Sequence, residues 1–181
     1  GNYRETNRLS ISVENSSYAV KEKNNNDQLT LDGEIAKTSI NYFRKLSDNL
    51  TLNVSLPIYS FSKGFLDSPI EQWHDLFGLS DGSRVDLPKS HLNFEVLSGS
   101  IKDRIHDSDN GIGDIQISTK LNFYSKNRSD LYLITSLEIP TGSKKKYFGN
   151  DDLDGLIALN LKNHLRDNLV INSVFGVSII N

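Results

Sequence analysis

Apolar and polar side chains alternate with a period of two along much of the chain. Leu50, Leu52, Val54, Leu56 and Ile58 interleave with Thr51, Asn53, Ser55 and Pro57. Ile115, Ile117, Thr119, Leu121 and Phe123 interleave with Gln116, Ser118, Lys120, Asn122 and Tyr124. The same holds for Leu131–Ile139 and Leu169–Ile179. A strand points successive side chains to opposite faces, so each run predicts a strand with one apolar and one largely polar face. Each approaches the ~9–11 residues a tilted strand needs to cross a bilayer, where soluble strands average about five or six. Weaker strands are predicted at about 8–14, 34–45 and 154–163, with short ones near 91–97 and 100–106, eight or nine in all.

The connections sort by length. Short ones lie at 46–49, 126–130 and 165–168, each with Asp or Asn just before a fresh alternating run, the chemistry of tight turns. Long polar ones are read at roughly 15–33, 60–90, 98–113 and 140–153. Short turns on one side and long loops on the other are the layout of an up-and-down outer-membrane barrel. The expected fold is therefore all-β: an antiparallel, up-and-down transmembrane β-barrel, partial in this span, forming one domain over 1–181. The alternative on this pattern is a water-soluble β-sandwich or lipocalin-like barrel.

One stretch breaks the alternation. Asp67–Leu79 predicts a helix over about 67–78, inside a long loop spanning 60–90. Pro69 suits the first turn, Asp67 or Ser68 can cap, and Gly78 supplies a stop. Ile70, Trp73 and Phe77 fall on one face, which is expected to be largely buried against loop or barrel-interior residues.

Composition narrows the class. Net charge is −3, with no basic stripe, which argues against nucleic acid as a partner. Mean hydropathy of −0.42 and the lack of a 20-residue apolar run exclude a transmembrane helix, but not a barrel. The absence of Cys removes disulfides and thiolate metal sites. The chain starts Gly-Asn-Tyr and contains no Met, so a processed chain or a fragment is expected.

Candidate chemistry is sparse. Glu71 and His74 share a helix face at i, i+3, with Asp67, Asp75 and Arg84 close in sequence. These five are candidates for ligand binding or for anchoring the loop by hydrogen bonds. A metal would need a third convergent ligand, and no H-E-x-x-H motif is present. Gly111-Ile112-Gly113-Asp114 precedes a strand rather than a helix, so a phosphate loop is excluded and a bend at a barrel rim is expected. Pro140-Thr141-Gly142 ends a strand and opens a loop holding Lys144-Lys145-Lys146, which could touch lipopolysaccharide phosphates or simply be solvated. Asn150–Asp154 offers oxygen ligands without an EF-hand's Gly and bidentate Glu. Four histidines (His74, His91, His106, His164) permit a Ser-His-Asp enzyme acting on lipid, but there is no G-x-S-x-G elbow. No catalytic residue, metal or cofactor is assigned.

Four segments resemble, in order and spacing, a Gram-negative outer-membrane family called domain of unknown function 3187. They are Leu31-Asp32-Gly33-Glu34; Gly64–Asp67 with Ile70–Leu79 and Gly82-Ser83-Arg84; Gly111–Ile115; and Ile139-Pro140-Thr141-Gly142. The last two also resemble transporter-like barrels such as the MetA-pathway phenol-degradation proteins. The resemblance covers about Leu31 to Leu161. It implies a barrel in the bacterial outer membrane, channel-like and longer than this chain, with Asp32, Gly33, Glu34, Gly111, Gly113, Asp114, Pro140, Thr141 and Gly142 as structural motif residues. The expected function is porin- or transporter-like passage of small solutes, with membrane lipid as partner. An enzyme acting on lipid, or a structural or adhesive barrel, is the alternative.

Overall fold

The computed structural model describes residues 7–180. Ten strands are present: β1 (Asn7–Asn24), β2 (Asp27–Lys45), β3 (Leu50–Ser62), β4 (Asn93–Ser98), β5 (Ile101–Ile105), β6 (Asp109–Ile112), β7 (Ile115–Lys126), β8 (Ser129–Ile139), β9 (Asp154–Arg166) and β10 (Leu169–Ile179). Among the described residues one α-helix, α1, spans Asp67–Phe77, with short 3-10 segments at Gly82–Asp86 and Lys144–Lys146. All ten strands belong to one sheet, ordered β10-β9-β8-β7-β3-β2-β4-β5, with β1 also on β2 and β6 also on β3. The fold is thus almost entirely antiparallel β with one helix. Among the described residues the path of this order ends on β10 and β5.

Two compact units are distinguished: Gly1–Ser12, Ser39–Ile58 and Ile112–Asn181 form the first, Val13–Thr38 and Tyr59–Gly111 the second. In the first unit the register carries the alternation across strands. Leu121 of β7 faces Leu133 of β8, which faces Leu159 of β9, which faces Phe175 of β10. Val54, Ile117 and Leu137 form a second such row, and Leu50 and Leu52 of β3 pair with Leu121 and Thr119. The opposite face carries Asn53, Ser118 and Ser136 in one row and Ser55, Gln116 and Glu138 in the next.

At several positions burial on these two faces is inverted relative to a water-soluble sheet, while Gln116 and Lys120 of the polar face are exposed and Leu121 and Leu133 of the apolar face are half-buried. Phe175 is 73% exposed, Leu137 54% and Leu159 45%, whereas Ser136 and Asn160 are each 8% exposed. On the apolar face Thr119 and Thr135 bond hydroxyl to hydroxyl at 2.8 Å, satisfying each other across β7 and β8. The tight turns at Leu46–Asn49, Asn127–Arg128 and Asp167–Asn168 lie at one end of this unit. Asn127 and Arg128 take positive φ, 51° and 65°, and Lys45 closes on Asp48 at 2.9 Å.

The second unit has a small aromatic core. Phe61, Leu92 and Phe94 are buried, with Tyr18 and Phe61 meeting Phe94 edge to face at 5.7 and 6.2 Å. Gly33 (φ 136°) belongs here by necessity: a Cβ would lie 2.7 Å from Leu92 Cδ1.

Three expectations are corrected. Residues 15–33 are not a loop but the facing ends of β1 and β2, joined at Asn25 (φ 33°). Their strands carry polar residues on both faces, so pairing is held by backbone hydrogen bonds that no alternation advertises. Neither Asp67 nor Ser68 caps α1: the N-cap is Leu66, without a side-chain cap bond. The face of α1 expected to be buried is largely open, with Trp73 54% and Phe77 61% exposed, and only Ile70 half-buried. The helix is held by polar contacts and its Gly78 stop (φ 64°), not by packing of its apolar side.

Candidate functional site

The candidate residues sort into two polar assemblies, one in each unit. In the second unit, Glu34 points from β2 and is 1% exposed. Its Oε1 accepts the backbone N–H groups of Phe65 (2.8 Å) and Leu66 (2.6 Å), and its Oε2 accepts Asn15 Nδ2 at 3.0 Å. The carboxylate therefore receives the amides at the helix entrance, where helix N–H groups lack intrahelical partners. Gly64 (φ 84°) lets the chain pass close by, since a Cβ there would stand 2.7 Å from Glu34 Oε1.

Asp67 continues the assembly. Its Oδ1 meets Arg84 Nη1 at 2.6 Å and its Oδ2 accepts the Ser90 N–H at 2.9 Å. Arg84 reaches on to Ser17 Oγ of β1 at 2.9 Å. Glu71 pairs with Lys89, and the Glu71 carboxylate holds that ammonium above its ordinary range. His74 Nδ1 lies 2.8 Å from Asp81 Oδ1. Glu71 and His74, although neighbours in sequence spacing, thus turn to different partners. Asp75 is exposed, and its carbonyl accepts the Gly78 N–H. Among these groups Ala19, Asp32, Asp67, Glu71 and Arg84 line a space of about 10 Å³, about what one water requires.

Asp32 and His91 form a further pair, His91 Nδ1 standing 3.1 Å from Asp32 Oδ2. Burial pushes the Asp32 carboxyl above its ordinary range, and the hydrogen bond and charge of His91 oppose that rise. Both His74 and His91 thus have a carboxylate at Nδ1; among the described contacts neither ring meets a serine hydroxyl.

The second assembly, in the first unit, joins the two glycine motifs. Asp114 Oδ1 accepts the N–H groups of Thr141 (2.9 Å) and Gly142 (2.8 Å), and its Oδ2 accepts the Asn150 N–H at 3.1 Å. Thr141 returns the contact: its hydroxyl donates to the Gly113 carbonyl at 2.8 Å and accepts the Ile115 N–H at 3.0 Å. Gly149 closes over the carboxylate, with space for no Cβ, which would lie 2.5 Å from Asp114 Oδ1. A Cβ on Gly142 would likewise collide with the Phe148 carbonyl. Gly113 donates to the Pro57 carbonyl at 2.8 Å. Gly111 lies in β6, which pairs with β3, and Pro140 follows the last residue of β8.

The oxygen-rich stretch after the lysines is engaged internally. Asn150 Nδ2 donates to Asp154 Oδ2 at 2.8 Å, and the Asp152 N–H donates to Asn150 Oδ1 at 2.9 Å. No group of three or more potential metal ligands occurs among the described residues. Asn15, Ser17, Asp81 and Gly149 were not readable as partners, because each contact is made across the fold or the loop and leaves no local pattern.

A family model matches residues 7–181. No curated protein and no solved structure matches the chain. The match takes in all four segments that carry the resemblance, from Leu31-Asp32-Gly33-Glu34 to Ile139-Pro140-Thr141-Gly142, whose residues build the two assemblies. The chain belongs to the family described as protein of unknown function (DUF3187).

Proposed function

We propose that the chain is part of a β-barrel of the bacterial outer membrane, porin- or transporter-like, through which small solutes pass. The observation that carries this reading is the exposed apolar side chains on one face of β8, β9 and β10 in the first unit, set against buried Ser136 and Asn160 on the other. Exposed apolar patches beyond a few hundred Å² are uncommon on soluble monomers. Here Leu137, Leu159, Ile171 and Phe175 are all exposed on one face, and the register sets Leu159 and Phe175 in one row with Leu133 and Leu121. From Leu131 to Ile139 the outward positions of β8 extend about 27 Å along the strand. At a tilt of about 40° that is a height of roughly 21 Å, close to the ~25 Å apolar band of such barrels.

Two further features agree. Exposed Tyr42, Phe123 and Tyr124 lie near the tight turns, where an interfacial aromatic girdle is expected. The Thr119 and Thr135 hydroxyls on the apolar side satisfy each other. On this reading the polar face lines the lumen, and Lys144, Lys145 and Lys146 meet lipid phosphates at one surface. Planar-bilayer conductance of the full-length protein is the test: discrete channel currents support the reading, and insertion without conductance removes the porin function.

A further inference from the structure

The loop that carries α1 ends in Lys89-Ser90-His91, and each of these residues is tied to a different carboxylate. Lys89 Nζ pairs with Glu71 of α1. The Ser90 N–H donates to Asp67 Oδ2 at 2.9 Å, and His91 Nδ1 lies 3.1 Å from Asp32 Oδ2 of β2. Between its neighbours Ser90 is held at φ 51°, a left-handed conformation that residues with a Cβ rarely adopt and that persists where the surroundings enforce it. The entrance of the same loop is held differently. There Glu34 accepts the N–H groups of Phe65 and Leu66, and its other oxygen takes the neutral Asn15 amide.

Charge at the exit turns on one proton. Asp32, Asp67, Glu71, Arg84 and Lys89 line one space of about 10 Å³, so three carboxylates meet two cations there. Arg84 stays charged at any working pH, and Glu71 holds the Lys89 ammonium in its charged form. The other histidine of the loop, His74, is turned to Asp81. The balance is therefore completed when His91 carries a proton or Asp32 keeps its own. With neither, an excess negative charge is left on a residue that is 3% exposed, beside two further carboxylates, and burial and like charge both oppose it. Burial pushes the Asp32 carboxyl above its ordinary range, and the Asp67 charge adds to that rise.

We propose that Lys89-Ser90-His91 is a proton-operated strap, closed on β2 while Asp32 and His91 share one proton and released when that proton leaves. On release Ser90 relaxes from its left-handed conformation, and Glu34 keeps the loop entrance attached as the hinge. The strap does not depend on solute passage, so its failure would leave that reading untouched.

The experiment is amide hydrogen exchange of the full-length protein from about pH 5 to about pH 8, the range in which histidine changes charge. Each rate is divided by that of an unstructured peptide at the same pH. Protection at Ser90 should fall several-fold as pH rises, while Phe65 and Leu66 stay protected. Asp32→Asn leaves two carboxylates against two cations, so Ser90 should remain protected throughout. His91→Gln leaves Asp32 alone to hold the proton, so release should move to lower pH. Either variant suffices if the other does not fold. The strap is overturned if Ser90 protection does not fall with pH, or falls in parallel with that of Phe65 and Leu66. It is equally overturned if Asp32→Asn releases as the parent does, or if His91→Gln leaves the release where it was.

Discussion

Asp114 and Thr141, from two separate glycine motifs, clasp the strand ends on which they lie. The carboxylate of one takes the backbone N–H of the other at 2.9 Å, while the Thr141 hydroxyl reaches back to the Gly113 carbonyl at 2.8 Å. The start of β7 and the end of β8 are thereby fixed together, with Gly142, Gly149 and Asn150 folded over the same carboxylate.

Removing that carboxylate leaves the Thr141, Gly142 and Asn150 amides short of an acceptor. Asp114→Ala should therefore cost about 1–3 kcal/mol, read as a lowered denaturant midpoint with an unchanged slope. Gly149→Ala should produce a similar loss by a different route, because its Cβ would collide with the carboxylate. An Asp114→Ala protein as stable as the parent would mean the amides find water instead.

The loop carrying α1 is expected to depend on Glu34 and Arg84 more than on His74. Eleven residues of helix are marginal alone, and the apolar side of α1 is open. Glu34 and Arg84 connect the loop to β2 and β1, whereas His74 pairs with Asp81 inside the loop. Breaking the Arg84–Asp67 pair should cost about 3 kcal/mol. Limited proteolysis should nick Glu34→Ala and Arg84→Ala fastest between Ser60 and Ser90, His74→Ala less, with first-unit melting unchanged in all three. Equal nicking in His74→Ala would give the Asp81 pair the anchoring role.

What was legible in the chain follows from these contacts. Strands β3, β7, β8 and β10 announce themselves because each alternates apolar and polar side chains. Pro69 and Gly78 bracket α1 because their backbone demands are local. The polar ends of β1 and β2 at 15–33 give no such signal, and Asn25 is the only turn residue there with positive φ. The amphipathic pattern of α1 reports which residues share a face and nothing about what covers it. Gly113-Asp114 and Pro140-Thr141-Gly142 are visible as motifs, but their clasp spans 27 residues and is invisible until the strands pair.

Asp32 gives the second unit a pH dependence of defined sign. Its folded carboxyl is raised above the ordinary value of 3.8, chiefly by burial. Its contribution is fully present below 3.8 and is lost as pH rises through the raised value, where a buried charge must form. Asp32→Asn keeps an acceptor for His91 without that charge. Hydrogen exchange in Leu29–Ile35 should show the variant gaining protection relative to the parent as pH rises through this window. A pH-independent difference between the two would place the cost elsewhere.

A charge on the two faces of the first unit should have opposite consequences. Leu133→Arg, in the row Leu121–Leu133–Leu159–Phe175, should cost about 2–4 kcal/mol in a bilayer. Ser118→Arg on the polar face should cost much less. Urea unfolding in lipid vesicles measures both, and equal costs would remove the distinction between the faces.

The most direct test of the membrane reading uses the lack of native Cys. Single cysteines at each position from Asp130 to Glu138 of the full-length protein, labelled with a fluorophore and reconstituted in vesicles, report the environment of each side chain. Quenching by acyl-chain nitroxide lipids should be strong at 131, 133, 135 and 137, and aqueous iodide should quench at 130, 132, 134, 136 and 138. Uniform aqueous quenching, without a period of two, would contradict the account.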